Sequence, residues 1–291
     1  MNPFDLRGPE FLMFYLVFAT GVIVCAAYFR RVKEAGPAPK MDLDPYAIAY
    51  LRGGKNEVVR VAMVSLIDRG LLTTSGSKVA RAPRANPAAV RHPVEQRLLA
   101  TFAVARGAPD AFKDSSFETV CLPYRTALAE HDLLPGPSVK AARWSVFFTA
   151  AALLVGVGGT KLAVALARGR TNVGFLIVLT IVATIIAGVV CFPRITARGK
   201  AMLEDLRALY AGLKSRASEI KPGGATIDAV MLAAVFGLAL LPATSFGYAR
   251  TLFPRATAGT SSSGCGSSCG SSCGSSCGGG GCGGGCGGCG S

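Results

Sequence analysis

The chain contains few of the side chains that most enzymes use for acid-base chemistry. It has only two histidines, His92 and His131, and only 17 acidic residues among 291. His92 directly precedes a helix-opening proline and His131 follows a helix, so we expect both rings to cap helices or to face solvent. The sequence has neither a His-Glu-x-x-His motif nor a serine elbow. We therefore predict a protein that is not an enzyme.

Charged residues are scarce as well. They make up 16% of the chain, hydrophobic residues make up 51%, and the mean hydropathy is +0.42. This balance is unusual for a soluble protein and is typical of one with membrane spans. The net charge of +14 is compatible with nucleic-acid binding. Basic cytosolic loops of a membrane protein produce the same excess, so we predict a lipid environment and disfavour nucleic acid.

Three uncharged runs predict three transmembrane helices. Residues 11–29 form the first, an uncleaved anchor, because the basic cluster follows the apolar run rather than preceding it. Residues 144–192 form a hairpin of two antiparallel helices, residues 145–167 and 171–192, joined by the short turn at 168–170. Gly156, Gly158 and Gly159 are expected to let a neighbouring helix approach closely.

The distribution of basic residues around these runs predicts the orientation. Arg7, Arg168 and Arg170 flank the runs on one side of the predicted membrane. The other side collects Arg30, Arg31, Lys33, Lys40, Lys140, Arg143, Arg194, Arg198, Lys200 and Arg207. The positive-inside rule therefore places residues 1–10 outside and both large loops in the cytosol.

Residues 229–249 form a fourth uncharged run with a different composition. The run is rich in alanine and is interrupted by Gly237, Pro242 and Gly247. Such breaks are typical of helices that pack on a membrane-proximal domain, so we predict that the run does not span, with a fourth transmembrane helix as the alternative.

The region of residues 30–143 predicts a cytosolic α+β domain. A helix begins at Pro45, capped by Asp44, and ends at Gly53–Gly54, and a second one follows and stops at Gly70. Residues 71–74 read as a strand, and residues 115–118 read as a capping box. The order helix, helix, strand is typical of winged-helix modules. The sequence lacks a recognition helix rich in Arg, Lys, Asn or Gln, so we interpret the domain as a protein-interaction module rather than a DNA-binding one. We expect residues 41–135 to fold alone.

Residues 193–259 predict a further cytosolic helical region. Thr196 is expected to cap a helix on which Leu203, Leu206, Tyr210 and Leu213 form one apolar stripe. The stripe is expected to pack against the preceding domain or against another copy of the chain, so the oligomeric state stays open.

Residues 260–291 contain only Gly, Ser, Cys and one Thr. A segment without apolar area has nothing to offset the ~1–2 kcal/mol per residue that ordering the backbone costs, so we predict disorder. The reactive groups of this segment are cysteine thiols. The thiols are those of Cys265, Cys269, Cys273, Cys277, Cys282, Cys286 and Cys289.

Four thiolates in a flexible chain can enclose zinc or copper, so a soft metal is our preferred ligand for these seven cysteines. Against this, the close C-x2-C spacing occurs only at Cys286 and Cys289. Disulfide or thiol chemistry, enzymatic modification of the cysteines, and a tail whose thiols do little are the alternatives. The other three cysteines, Cys25, Cys121 and Cys191, are isolated in apolar segments and are expected to behave as small hydrophobic residues.

Several segments together give the chain a resemblance to a known group. They are AYLRGG (49–54), LIDRGLL (66–72), ARGR (167–170), PRITARGKAML (193–203) and the Gly/Cys tail. In this order they resemble an uncharacterised family of bacterial membrane proteins, a domain of unknown function with a Cys- and Gly-rich carboxyl-terminal tail. The resemblance implies a cytosolic domain around a membrane hairpin. In distantly similar proteins the segment equivalent to residues 229–249 belongs to the soluble part, which implies the same for this chain. It implies no activity, cofactor or catalytic residue.

These observations and the resemblance together predict a mainly α-helical integral membrane protein of the bacterial inner membrane. It would have three transmembrane helices, a winged-helix-like cytosolic domain and a disordered thiol-rich tail that binds soft metal or a partner. A membrane component of a pathway that modifies or exports cysteine-rich peptides, and a membrane-tethered DNA-binding regulator, are the alternatives.

Overall fold

A computed structural model describes residues 8–37, 39, 44–83, 85, 90–167, 174–217 and 226–257, and these are mainly helical. The long helix α1 (Gly8–Glu34) comes first. Next come α2 (Pro45–Gly53), α3 (Lys55–Asp68), β1 (Leu72–Ser75), β2 (Lys78–Arg81), α4 (Pro93–Thr101), β3 (Arg106–Gly107), α5 (Ala108–Lys113), α6 (Ser116–Val120) and α7 (Leu122–Glu130). The rest are α8 (Pro137–Ala167), α9 (Gly174–Cys191), α10 (Ala197–Leu209), α11 (Ala211–Ser215), α12 (Thr226–Val235), a 3-10 turn (Leu238–Leu240), α13 (Gly247–Leu252) and α14 (Pro254–Thr257).

Three helices of the described chain are long and apolar enough to cross a membrane: Glu10–Glu34 within α1, then α8 and α9. They pack as a bundle. The Tyr15 hydroxyl of α1 donates to the Leu154 carbonyl of α8 at 3.1 Å, and the Trp144 and Phe192 rings lie 4.8 Å apart between the start of α8 and the end of α9. The helix α8 is therefore antiparallel to both neighbours. The ends of α1 and α9 and the start of α8 meet at one end of the bundle.

Close approach within the bundle occurs at one of the three glycines expected to permit it. A Cβ atom on Gly158 would lie 2.7 Å from the Thr180 hydroxyl of α9, whereas nothing lies within 4 Å of such an atom on Gly156 or Gly159. The expectation is therefore confirmed for Gly158 and wrong for the other two, because those face away from the neighbouring helices.

The remaining elements form one domain, which we call the core domain (residues 44–134 and 195–257). The helices α2 and α3 follow each other directly, and β1, β2 and β3 form an antiparallel sheet in that order. Leu72 pairs with Arg81, and Lys78 pairs with both Ser75 and Gly107. The predicted helix pair and strand are confirmed, and the hairpin turn at Gly76 has the positive φ of 60° that favours glycine.

Two of the three predicted helix caps differ from the structure. Thr196 accepts a hydrogen bond from the Gly199 amide at 3.0 Å, as expected. Asp44 occupies the predicted cap position but its side chain makes no capping bond; its carboxylate instead contacts His92 at 3.2 Å. Ser115 does not cap α6 either, because the neighbouring Asp114 carboxylate accepts from the Ser116 amide at 2.9 Å.

Residues 229–249 do not form one continuous helix. The helix α12 ends at Val235, Gly237 adopts φ of 101°, and a 3-10 turn follows. Leu232, Ala233 and Ala234 are fully buried in the core domain. The prediction that this run packs on a domain is confirmed, since its apolar side chains have a protein core to occupy.

The segment between α1 and α8 and the segment after α9 share this core. Among the described residues, 39 are buried in this core, and 13 of them come from the part of the chain after residue 200. Leu203 is buried there, and the other stripe residues, Leu206, Tyr210 and Leu213, pack against it. The Arg52 guanidinium donates to the Ala233 carbonyl at 2.7 Å, across 181 residues of sequence. The stripe therefore packs against the same chain.

This shared core argues against the expectation that residues 41–135 fold alone. A fragment of residues 41–135 would expose the surfaces of α2 and α3 that α12 covers, so we expect it to aggregate or to bind a hydrophobic dye. The same fragment joined by a flexible linker to residues 193–257 is expected to be soluble and to unfold cooperatively. Size-exclusion chromatography and thermal unfolding would compare the two. A cooperative unfolding transition in the short fragment would contradict the role assigned to α12.

Candidate functional site

The seven tail cysteines, Cys265, Cys269, Cys273, Cys277, Cys282, Cys286 and Cys289, lie outside the described residues. Within the part of the chain that the structure describes, no three His, Cys, Asp or Glu side chains are close enough to hold a metal ion. Any thiol-rich metal site must therefore draw on the tail.

The isolated cysteines match their predicted character. Cys121 and Cys191 are buried, Cys25 is exposed, and all three are free thiols. Burial raises the pKa of the Cys121 thiol to about 11, and the positive charge of Lys55 lowers it only in part. Because the thiolate is the reactive form, Cys121 is chemically inert near neutral pH.

A basic cleft lies where the core domain meets the bundle. It has a volume of about 380 Å³ and is bounded by the junction of α2 and α3, the loop before α8, and the segment after α9. Gly54 at its edge adopts φ of 74°, so the chain turns sharply between the two helices. A second recess of about 520 Å³ shares Tyr50, Lys55 and Arg125 with it.

The electrostatics of this basic cleft favour an anion. Lys55, Arg125, Lys140 and Arg194 line the two recesses, against the single carboxylate of Glu118. The amino-terminal end of α3 points its partial positive charge the same way. Arg194 is held in place because its guanidinium donates to the carbonyls of Tyr50 at 2.6 Å and Arg52 at 2.9 Å. The arrangement can bind a carboxylate or phosphate group.

His92 lies in a cluster of polar and aromatic side chains. Its Nε2 atom is 2.7 Å from the Tyr124 hydroxyl and 3.2 Å from the Asp44 carboxylate, and its ring is 4.3 Å from that of Tyr46. His92 occupies the N-cap position of α4 but its ring makes no capping bond, and the ring is partly exposed, so of the two expected roles the capping bond is not formed. Both polar partners contact the same ring nitrogen, so the cluster differs from a catalytic triad, in which the two ring nitrogens of the histidine have different partners.

A second charged cluster, which we call the junction cluster, lies at the end of the bundle where α1 and α9 end and α8 begins. The buried Glu34 carboxylate accepts from the Arg143 Nε atom at 2.6 Å and from the Ala197 amide at 2.9 Å. Arg143 also donates to the Pro193 carbonyl at 2.6 Å, and Arg30 lies 3.6 Å from Glu34. One carboxylate thus ties α1, α8 and the start of α10 together.

Comparison with protein-family models, with curated proteins and with solved structures finds no match for the chain. The resemblance to an uncharacterised membrane-protein family therefore stays an expectation, and the functional argument depends on the residues themselves.

Neither the basic cleft nor the junction cluster was predicted from the sequence. Their residues come from segments up to 163 positions apart, as Glu34 and Ala197 are. One local signal was available: Gly53, Gly54 and Lys55 place a sharp turn and a cation at the start of a helix, a combination typical of anion sites.

Proposed function

We propose that this chain is a non-enzymatic membrane protein that carries a thiol-rich tail for binding a soft metal, zinc or copper. The observation that carries the proposal is the concentration of seven thiols within residues 265–289. In the described residues, by contrast, the buried cysteines are isolated and Cys121 is held in its unreactive protonated form. The metal content of the full chain, compared with that of a chain whose tail cysteines are all serine, tests the proposal.

The core domain is proposed to be winged-helix-like and to bind a protein partner. The consecutive helices α2 and α3 with the β1–β2 hairpin support this relation. The helix after the hairpin, α4, buries Glu95, and its Arg97 donates to Asp114 at 3.1 Å and to Ser116 at 2.7 Å. Because Glu95 is buried and Arg97 already has partners in the domain, α4 offers few free side chains for reading DNA bases, which favours a protein partner.

The basic cleft gives such a partner a definite chemistry. Four cations face one carboxylate across the two recesses, so an acidic peptide segment complements this surface better than a basic or apolar one. We therefore propose that the core domain binds an acidic segment of its partner at this cleft.

The proposed orientation places the core domain in the cytosol of a bacterium. The basic residues at the core-domain end of the bundle support this, among them Arg30, Lys33, Lys140 and Arg194. Single cysteines at Ser77, which is exposed in the β1–β2 turn, and at Thr171, in the predicted outer turn, distinguish the two orientations.

In intact cells, with the native cysteines replaced, a membrane-impermeant maleimide is expected to label the Thr171→Cys variant and to leave Ser77→Cys unlabelled. Permeabilised cells are the control, since both variants should then react. Labelling of Ser77→Cys alone in intact cells would reverse the orientation and expose the core domain to the outside.

A further inference from the structure

An apolar groove runs along the outside of the bundle between α1 and α8. Its volume is about 660 Å³. The α1 side is formed by Phe18, Val22 and Phe29, and the α8 side by Val146, Ala150 and Leu153. Gly21 opens the wall, because a Cβ atom there would have nothing within 4 Å. The groove is therefore unfilled by the chain's own side chains along its length.

The length of the groove along α1 matches the thickness of one leaflet of a bilayer. From Phe18 to Phe29 the apolar wall follows α1 for 11 residues, or about 16 Å at 1.5 Å per residue. Half of the ~30 Å hydrocarbon core is about 15 Å. A single acyl chain that enters from the core-domain end would therefore end near Phe18.

The end of the groove next to the core domain is basic. Lys33, one helical turn beyond Phe29, lines both the groove and a small adjoining cavity of about 30 Å³. Arg30, Glu34 and Arg143 line that cavity as well. Three cations against one carboxylate leave an excess of positive charge at the depth where lipid headgroups lie.

Two nitrogen atoms of the residues that line this cavity lack a hydrogen-bond partner. The Nη2 atom of Arg143 and the Nε atom of Arg30 are buried and have no hydrogen-bond acceptor. Arg143 as a whole is only 2% exposed. Both Glu34 oxygens are already occupied by Arg143 and by the Ala197 amide. Unpaired buried donors are costly, so an external acceptor oxygen would complete the site.

We propose that the groove and this basic cavity together bind one anionic phospholipid. An acyl chain lies between α1 and α8, and the headgroup phosphate accepts a hydrogen bond from the exposed ammonium of Lys33, beside the positive charges of Arg30 and Arg143. Basic pockets at the ends of neighbouring transmembrane helices recognise anionic headgroups in this way. The lipid would brace α1 against α8 beside the junction cluster. This site is independent of the tail and of any metal that the tail binds.

Native mass spectrometry of the full chain in detergent, titrated with phosphatidylglycerol or phosphatidylcholine, tests the proposal. Gly21→Leu fills the groove and is expected to weaken phosphatidylglycerol binding about tenfold. Lys33→Gln removes one exposed cation and should weaken it about fivefold, since a basic residue near an anionic surface contributes ~1 kcal/mol. Phosphatidylcholine should bind more weakly than phosphatidylglycerol and respond less to Lys33→Gln.

Matched variants control for the substitutions themselves. Gly156→Leu adds the same side chain to an equally open glycine of α8 that does not line the groove. Arg31→Gln removes an exposed cation in the same helical turn as Lys33 that lines neither cavity. Both should bind phosphatidylglycerol like the unaltered chain.

Equal losses in Gly21→Leu and Gly156→Leu, or equal affinity for the two lipids, would overturn the proposal. So would full displacement of phosphatidylglycerol by millimolar inorganic phosphate, because the site would then recognise the anion without the acyl chain. Since Lys33 is exposed, its variant keeps the test valid even if Gly21→Leu disturbs folding.

Discussion

Replacing the seven tail cysteines by serine is expected to weaken zinc binding to a peptide of residues 260–291 by about 1000-fold or more. Structural zinc sites in short peptides gain ~10–16 kcal/mol at neutral pH, largely through thiolate or imidazole ligands. The tail has no imidazole, and serine hydroxyls do not replace thiolates, so a difference of at least ~4 kcal/mol should remain even without preorganisation. Titration of both peptides with zinc and with cuprous ion under reducing conditions measures it.

The spacing of the cysteines allows a sharper comparison within the tail. Cys286 and Cys289 form its only C-x2-C pair, the spacing that zinc sites prefer. The Cys286→Ser peptide should therefore lose more zinc affinity than the Cys273→Ser peptide, although each keeps six thiols. Affinity should also fall as pH decreases, because the metal must displace thiol protons.

Two results would refute the metal proposal. One is a native peptide that binds zinc and cuprous ion no more tightly than its serine version. The other is a tail that is already fully oxidised or covalently modified when the full chain is isolated from cells. The second result would favour disulfide chemistry or enzymatic modification, and with it a role in a pathway for cysteine-rich peptides.

Local sequence signals predicted the elements of the fold well. Pro45 and the Gly53–Gly54 pair bound α2 as expected, and Thr196 caps α10, because these features depend on neighbouring residues only. The three apolar runs predicted α1, α8 and α9 for the same reason: hydrophobic length is a property of one segment. The breaks at Gly237 and Pro242 correctly distinguished residues 229–249 from the three runs that form helices long and apolar enough to span a membrane.

Contacts between residues that are far apart in the sequence could not be predicted. Nothing near Glu34 indicates that its partners are Arg143 and the Ala197 amide, and nothing near α2 indicates that α12 will complete its core. The basic cleft is likewise assembled from four separate segments. With one sequence, pairings of this kind have no periodicity or motif to reveal them, so the candidate sites emerged only from the three-dimensional arrangement.

The junction cluster leads to the second large expected effect, a loss of stability in the Glu34→Gln variant. The substitution removes the only carboxylate between Arg30 and Arg143, which are 7% and 2% exposed. Breaking a buried ion pair on one side costs about 3–5 kcal/mol, because the remaining charge stays buried without compensation. For a chain of this size we expect the unfolding midpoint in detergent to fall by roughly 10 °C.

The complementary variant separates charge balance from the mere loss of a contact. Arg143→Gln leaves Glu34 with Arg30 and the Ala197 amide, which is a balanced set, so its destabilisation should be smaller than that of Glu34→Gln. Glu118→Gln removes a carboxylate that pairs with Lys55 at 3.2 Å but is 73% exposed, and it should change stability by less than ~1 kcal/mol.

Fluorescence of Trp144 can follow unfolding at this place. It is the only tryptophan of the chain and directly follows Arg143, so its emission reports on the end of the bundle where the junction cluster lies. If Glu34→Gln and Glu118→Gln unfold at the same temperature, the cluster does not hold the three helices together. If Arg143→Gln proves the more damaging of the two junction variants, the hydrogen bond from Arg143 to the Pro193 carbonyl, rather than the balance of buried charge, stabilises the junction.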